Sequence, residues 1–75
     1  YPNPVQNYLM IEGLPKTRSR FYTIDIFNAI GQKVYNNSIN TEDQLIEMSD
    51  FKSGTYMMMI YNEEFSATQK LTVVK

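Results

Sequence analysis

Turn-forming residues cluster at short, even intervals along this chain, at 2–7, 13–20, 28–32, 36–43, 49–54 and 62–64. Apolar stretches of about 5–9 residues lie between them, which predicts many short strands and hence a sandwich or barrel. Within the stretches, neighbouring side chains alternate in character. In 21–27, Tyr22, Ile24 and Ile26 share one face while Thr23 and Asp25 share the other. Ile46 and Met48 face together, with Glu47 opposite. Phe65, Ala67, Leu71 and Val73 keep one phase, with Thr68, Lys70 and Thr72 out of it, and the last predicted strand runs over Gln69–Lys75. No stretch sustains the 3.6-residue period of a helix, and β-branched and aromatic residues dominate. Tyr56–Tyr61 is apolar on both faces, so that strand is expected to be central and covered on both sides, or to offer its outer face to a partner.

The breaks have their own chemistry. Asn28-Ala29-Ile30-Gly31 suits a type I turn followed by a left-handed residue, where glycine avoids the Cβ clash. Gly54 after Ser53 is expected to play the same part before the next strand. Asn36–Asp43 reads as a polar break, interrupted by Ile39. Pro2 and Pro4 hold the first residues extended and donate no ladder hydrogen bond.

Seventy-five residues make one domain, 1–75, with a thin core: such a chain buries only about 60% of the surface its unfolded form exposes. Net stability is expected near the bottom of the usual range, on the order of 5 kcal/mol. The chain has no cysteine, hence no disulfide, and with no histidine either a zinc site is not expected. A net charge of −1 supplies no global field toward nucleic acid or an acidic membrane. No apolar run approaches the roughly 20 residues of a membrane-spanning helix. The chain opens at Tyr1 rather than at methionine and carries no basic-then-apolar leader, so it is expected to be a piece of a larger protein.

Composition excludes nucleophilic catalysis by Ser/His or Cys/His pairs. Asp25, Glu47 and Glu12 fall on strand faces and read as solvated carboxylates, since acid–base work needs a cleft that shifts one pKa. Lys16-Thr17-Arg18-Ser19-Arg20, before Phe21 and Tyr22, is the basic cluster; it reads as a solubilising loop, with docking to an acidic partner as the functional alternative. Met57-Met58-Met59 cannot gather three sulfurs, because strand neighbours point to opposite faces, so packing accounts for them. No enzyme activity and no cofactor are expected. Tyr22 and Tyr56 are expected to face inward, leaving Tyr1, Tyr8, Tyr35 and Tyr61 as candidates for a sugar-stacking platform.

Four motifs stand in order along the chain: Tyr1-Pro2-Asn3-Pro4, the stretch Phe27–Val34 with Asn28 and Gly31-Gln32-Lys33-Val34, then Ile46–Met48 followed by Ser53-Gly54-Thr55-Tyr56, and Lys70–Lys75. In that order and spacing the chain resembles the C-terminal sorting domain of the type IX secretion system, type A, found in Bacteroidota. Met57–Met59, where the family more often has branched apolar residues and lysine, and Phe51, where leucine is usual, depart from the pattern conservatively. The resemblance implies an immunoglobulin-like antiparallel sandwich of about seven strands at the end of a larger secreted protein. It implies a passenger N-terminal to the domain, carried by an ordinary leader to the periplasm. Translocon components then recognise the folded domain and move the protein across the outer membrane, and a sortase-like peptidase cuts upstream of Tyr1. The positions expected to bear the signal are Gly31, Lys33, Gly54, Tyr56, Lys70, Leu71, Thr72, Val73, Val74 and Lys75. Glycines for turn geometry and Tyr56 and Leu71 for core packing are the structural alternatives. A last strand at a sheet edge offers a receptor its backbone by strand addition, and offers the same to a second copy of the domain. A carbohydrate-binding, adhesion or structural module appended to an enzyme is the competing function.

Overall fold

The computed structural model describes residues 7–11, 13–40 and 44–75, so the Tyr1–Pro4 motif with Pro2 and Pro4, and Glu12, lie outside the described residues. The described chain forms six strands and no helix: β1 Tyr8–Ile11, β2 Phe21–Phe27, β3 Lys33–Asn40, β4 Gln44–Glu47, β5 Gly54–Tyr61 and β6 Ser66–Val73. β3, β2, β5 and β6 lie side by side in that order in one antiparallel sheet, and β1 pairs with β4 in a second. The all-β sandwich read from the sequence is the observed architecture.

Alternation decides what lies between the layers. Tyr22, Ile24, Ile26, Met58, Ile60, Leu71 and Val73 project from the larger sheet, and Leu9, Ile11, Ile46 and Met48 from the smaller sheet and its end, into one core. Burying each such side chain contributes roughly 1.5–3 kcal/mol. The Tyr22 hydroxyl, carried into this core, is satisfied by donating to the Pro15 carbonyl, and its ring meets Phe65 edge-on at 5.8 Å.

Three expectations need correction. The polar stretch 36–43 is not a break throughout: Asn36–Asn40 continue β3, paired with β2 from Asp25 back to Phe21. Those residues are polar because β3 is an edge strand with only Ile39 buried along its second half. The last strand is Ser66–Val73 rather than Gln69–Lys75, so Val74 and Lys75 lie beyond it. Gly54 keeps the positive φ expected of it, +158, but as the first residue of β5, paired with Val73, rather than in a turn ahead of the strand. Gly31, in contrast, has φ +86 and donates its N–H to the Asn28 carbonyl at 3.0 Å, the turn expected there.

β5 is central, as expected, but no further layer of the described residues covers its outer face. Met58 and Ile60 point into the core, while Met57 is 42% exposed and Met59 and Tyr61 are half-buried by neighbours on their own face.

Candidate functional site

Segments far apart in sequence meet at one end of the sandwich. Asn28 organises the β2–β3 turn: its Oδ1 accepts the N–H of Ile30 at 3.2 Å and of Gln32 at 2.9 Å, and its Nδ2 donates to Gln32 Oε1 at 3.0 Å. An asparagine at the first position of a turn does this because its short side chain reaches the backbone two residues on. The turn so fixed displays Ile30 at 79% exposure. Opposite it comes the segment Ser53–Tyr56, and the two line a shallow depression of about 280 Å³. Tyr56 stands at its border, half-buried, with its hydroxyl donating to the Lys52 carbonyl at 2.7 Å and its ring edge-on to Phe51 at 5.2 Å. The ring of Phe51 in turn lies 6.2 Å from that of Tyr35, centroid to centroid, and so joins the three rings in an aromatic cluster.

Lys75 closes the same end. Its N–H donates to Ser53 Oγ at 2.9 Å, and its ammonium donates to the carbonyl of Met48 at 2.9 Å, with Ser49 O and Asn7 Oδ1 each at 3.4 Å. One side chain thus ties the residues after β6 to the segments before β1 and after β4. A lysine ammonium has three donors and no acceptor, which suits it to a ring of carbonyls.

The expected signal positions therefore divide. The Gly31 turn, Gly54, Tyr56 and Lys75 come together at this end. Val74, 45% exposed, lies beside them. Leu71 and Val73 are core residues, each 1% exposed, and offer no surface to a partner. Lys70 and Thr72 stand on the outer face of the large sheet, opposite Met57 and Thr55. Lys33 belongs to a separate cluster around Asp25.

Asp25 is the residue that sequence reasoning misplaced. It was expected on a solvated face, and it is on the outer face of β2, yet it is only 4% exposed. Asn36 Nδ2 donates to Oδ1 at 2.6 Å, the Tyr61 hydroxyl donates to Oδ2 at 2.8 Å, and the Lys33 ammonium lies 3.6 Å from Oδ1 while also lying 5.9 Å from the Phe27 ring centroid. Register brings these groups together: Asn36 and Met59 are the cross-strand partners of Asp25 on either side, and Tyr61 is two residues along β5. The hydrogen bond from Asn36 first, then those from Tyr61 and the charge of Lys33, hold the carboxyl below its ordinary value of 3.8, against the opposing effect of burial. The same contact pushes the Tyr61 hydroxyl up and keeps it a donor.

The folded chain binds this proton less readily than the unfolded chain. Its contribution to stability is therefore full above the ordinary carboxylate range and is lost as pH falls through the depressed folded value. Asp25→Asn is expected to lower the melting midpoint at neutral pH and to flatten its decline below pH 3.8. An acid decline as steep as that of the parent would assign the effect to other carboxylates. A buried carboxylate with three partners is a structural device here, and nothing about it forms a cleft for chemistry.

The basic cluster 16–20 lies at the opposite end, near the β5–β6 hairpin, where the Arg18 backbone N–H and guanidinium both meet Glu64 Oε1, at 3.2 and 3.8 Å. Among the described residues no group of three or more Asp or Glu side chains is placed to hold a metal ion.

None of the curated proteins compared with the chain matches it. The family described as the secretion system C-terminal sorting domain matches over residues 1–74, which is nearly the whole chain. That span takes in the Gly31 turn, Ser53–Tyr56 and all of β6, the segments that the fold draws to one end and one edge of the sandwich. The chain belongs to this family, the C-terminal sorting signals that direct proteins through the type IX secretion machinery to the outer-membrane surface or beyond.

Proposed function

We propose that this chain is a single domain, 1–75, of a larger secreted protein, and that it acts as an address read in its folded form. Its passenger lies N-terminal to it and travels through the periplasm before the domain meets the translocon. Sortase-like cleavage then falls upstream of Tyr1. The domain has no catalytic part in this; it supplies shape. The observation that carries the reading is the convergence of the Gly31 turn, Ser53–Tyr56 and Lys75 at one end, beside the edge strand β6. These segments are brought within reach of one partner by β2, β5 and β6 lying side by side in the larger sheet, so an unfolded chain would not display them together. Gly31, Gly54, Tyr56, Val74 and Lys75 form the surface part of the signal, Lys33, Lys70 and Thr72 extend it across the sheet, and Leu71 and Val73 hold it in place from the core.

The test is export in a type IX-competent host. A leader and a fluorescent reporter are joined ahead of the domain, and the intact domain is compared with Ile24→Asp, which places a charge at a fully buried position. The intact domain is expected to bring fluorescence to the surface or medium, and the variant to leave it in the periplasm. Export of both alike would show that a linear stretch is read instead of a fold; retention of both would remove the sorting function in that host.

A further inference from the structure

We propose that the first half of β6 is a strand-addition site, where an extended apolar segment of the translocation machinery pairs with Ser66–Thr68 and fills the groove beside it. The proposal rests on the sorting function above and names the part of the domain that the machinery pairs with.

β6 lies at the edge of the larger sheet, with β5 on its one side. The Asn62 N–H donates to the Phe65 carbonyl at 2.9 Å, which makes 62 and 65 a hydrogen-bonded pair of the hairpin. Bonded pairs recur at every second residue of an antiparallel ladder, and the register runs unbroken from Tyr61↔Ser66 to Gly54↔Val73. Ala67 and Gln69 thus exchange bonds with β5, and the N–H and C=O of Ser66 and Thr68 point to the outer edge.

Elsewhere the edges of this sheet are blunted by side chains. On β3, Asn37 Oδ1 takes the N–H of Ser38 at 2.9 Å, and Lys33 and a register shift between Ile26 and Phe27 disturb the other end. On β6 itself, Gln69 Nε2 takes the Lys70 carbonyl at 3.1 Å. Among the described residues nothing caps Ser66-Ala67-Thr68 in this way, and the stretch has no charge and no proline, the devices by which edge strands avoid pairing.

The space next to this edge matches such a guest. Among the described residues the smaller sheet has two strands against four in the larger one, and these two leave β5 and β6 incompletely covered. A groove of about 310 Å³ results, floored by Met58, Ile60 and Leu71 and walled by Leu9, Ile11 and Leu14, with Ala67 and Thr68 at its rim. A strand bonded to Ser66 and Thr68 turns alternate side chains toward this groove and the others to solvent. The guest is therefore an extended segment with aliphatic residues at every second position and no charge on that face. Backbone bonds supply affinity and the groove supplies selectivity, the division of labour found in strand addition generally.

Thr68→Pro tests this. Proline removes the outward N–H of Thr68 but no ladder bond to β5, and edge strands tolerate it there. Glu63→Ala, at an exposed position of the β5–β6 turn, serves as control, and Ala67→Lys sets a charge at the rim of the groove. In the export assay, with thermal melts recorded on each purified domain, Thr68→Pro and Ala67→Lys are expected to cut export about tenfold while still melting cooperatively, and Glu63→Ala to match the parent. Parental export by a folded Thr68→Pro domain would overturn the proposal. Should that variant fail to fold, parental export by Ala67→Lys would do so instead. Retention of the parent itself would overturn the sorting function, and this site with it.

Discussion

Replacing Ile24 with alanine is expected to cost roughly 2–5 kcal/mol, the range for truncating a buried isoleucine in a core that cannot collapse around the gap. Ile24 is fully buried at the middle of β2, between Asn37 of β3 and Ile60 of β5. Its side chain is enclosed by both sheets, so the methyl groups lost leave a cavity rather than a patch filled by solvent. In a domain whose whole stability is on the order of 5 kcal/mol, such a loss leaves a large fraction of molecules unfolded at room temperature. Chemical denaturation checks it, with Ile30→Ala as the control. Ile30 is equally branched but 79% exposed on the turn, and its truncation is expected to stay within about 0.5 kcal/mol. A loss below about 1 kcal/mol at Ile24 would place that residue outside the core that unites the sheets.

Removing Lys70–Lys75 is expected to abolish cooperative folding. Leu71 and Val73 leave the core with the segment, and burial of each contributes roughly 1.5–3 kcal/mol. The rungs Met57↔Lys70 through Gly54↔Val73 go too, as do the Lys75 contacts to Ser53, Met48, Ser49 and Asn7. Circular dichroism on heating should then show no sigmoidal transition. If the truncated chain still melts cooperatively, the second half of β6 is dispensable for the fold, and its loss becomes a clean test of recognition. On the expected result, failed export of a truncated domain reports unfolding alone. Point changes at exposed positions, among them Thr68 and Val74, are the ones that separate recognition from folding.

The class of the fold is legible in the order of apolar and polar residues alone. Period-2 alternation in 21–27, 45–48 and 65–73 leaves one way to bury the apolar residues there, and Asn28-Ala29-Ile30-Gly31 reads as a turn because the demand for positive φ is local to Gly31. The family, too, was legible, because its motifs are defined by order and spacing along the chain. Local signals stop at the boundaries of pairing. β3 was partly lost to a polar reading because an edge strand buries so little that its composition matches a loop. The start of β6 is hidden because Gln69 interrupts the phase of Phe65, Ala67, Leu71 and Val73, and Ser66 to Gln69 are all exposed.

Other features arise from contacts between strands that no local pattern encodes. Asp25 is an ordinary outer-face carboxylate by pattern, and it becomes buried because register sets Asn36 and Tyr61 around it from two other strands. Lys75 looks like a solvated final residue until the residues before β1 and after β4 bring their carbonyl and amide oxygens to its ammonium. The meeting of the Gly31 turn with Ser53–Tyr56, and the uncapped stretch of β6 next to an apolar groove, depend on which strands are neighbours. Alternation fixes which face a side chain takes, but strand order and register are set by the packing of the whole core, and a surface assembled from several strands exists only once that packing is complete.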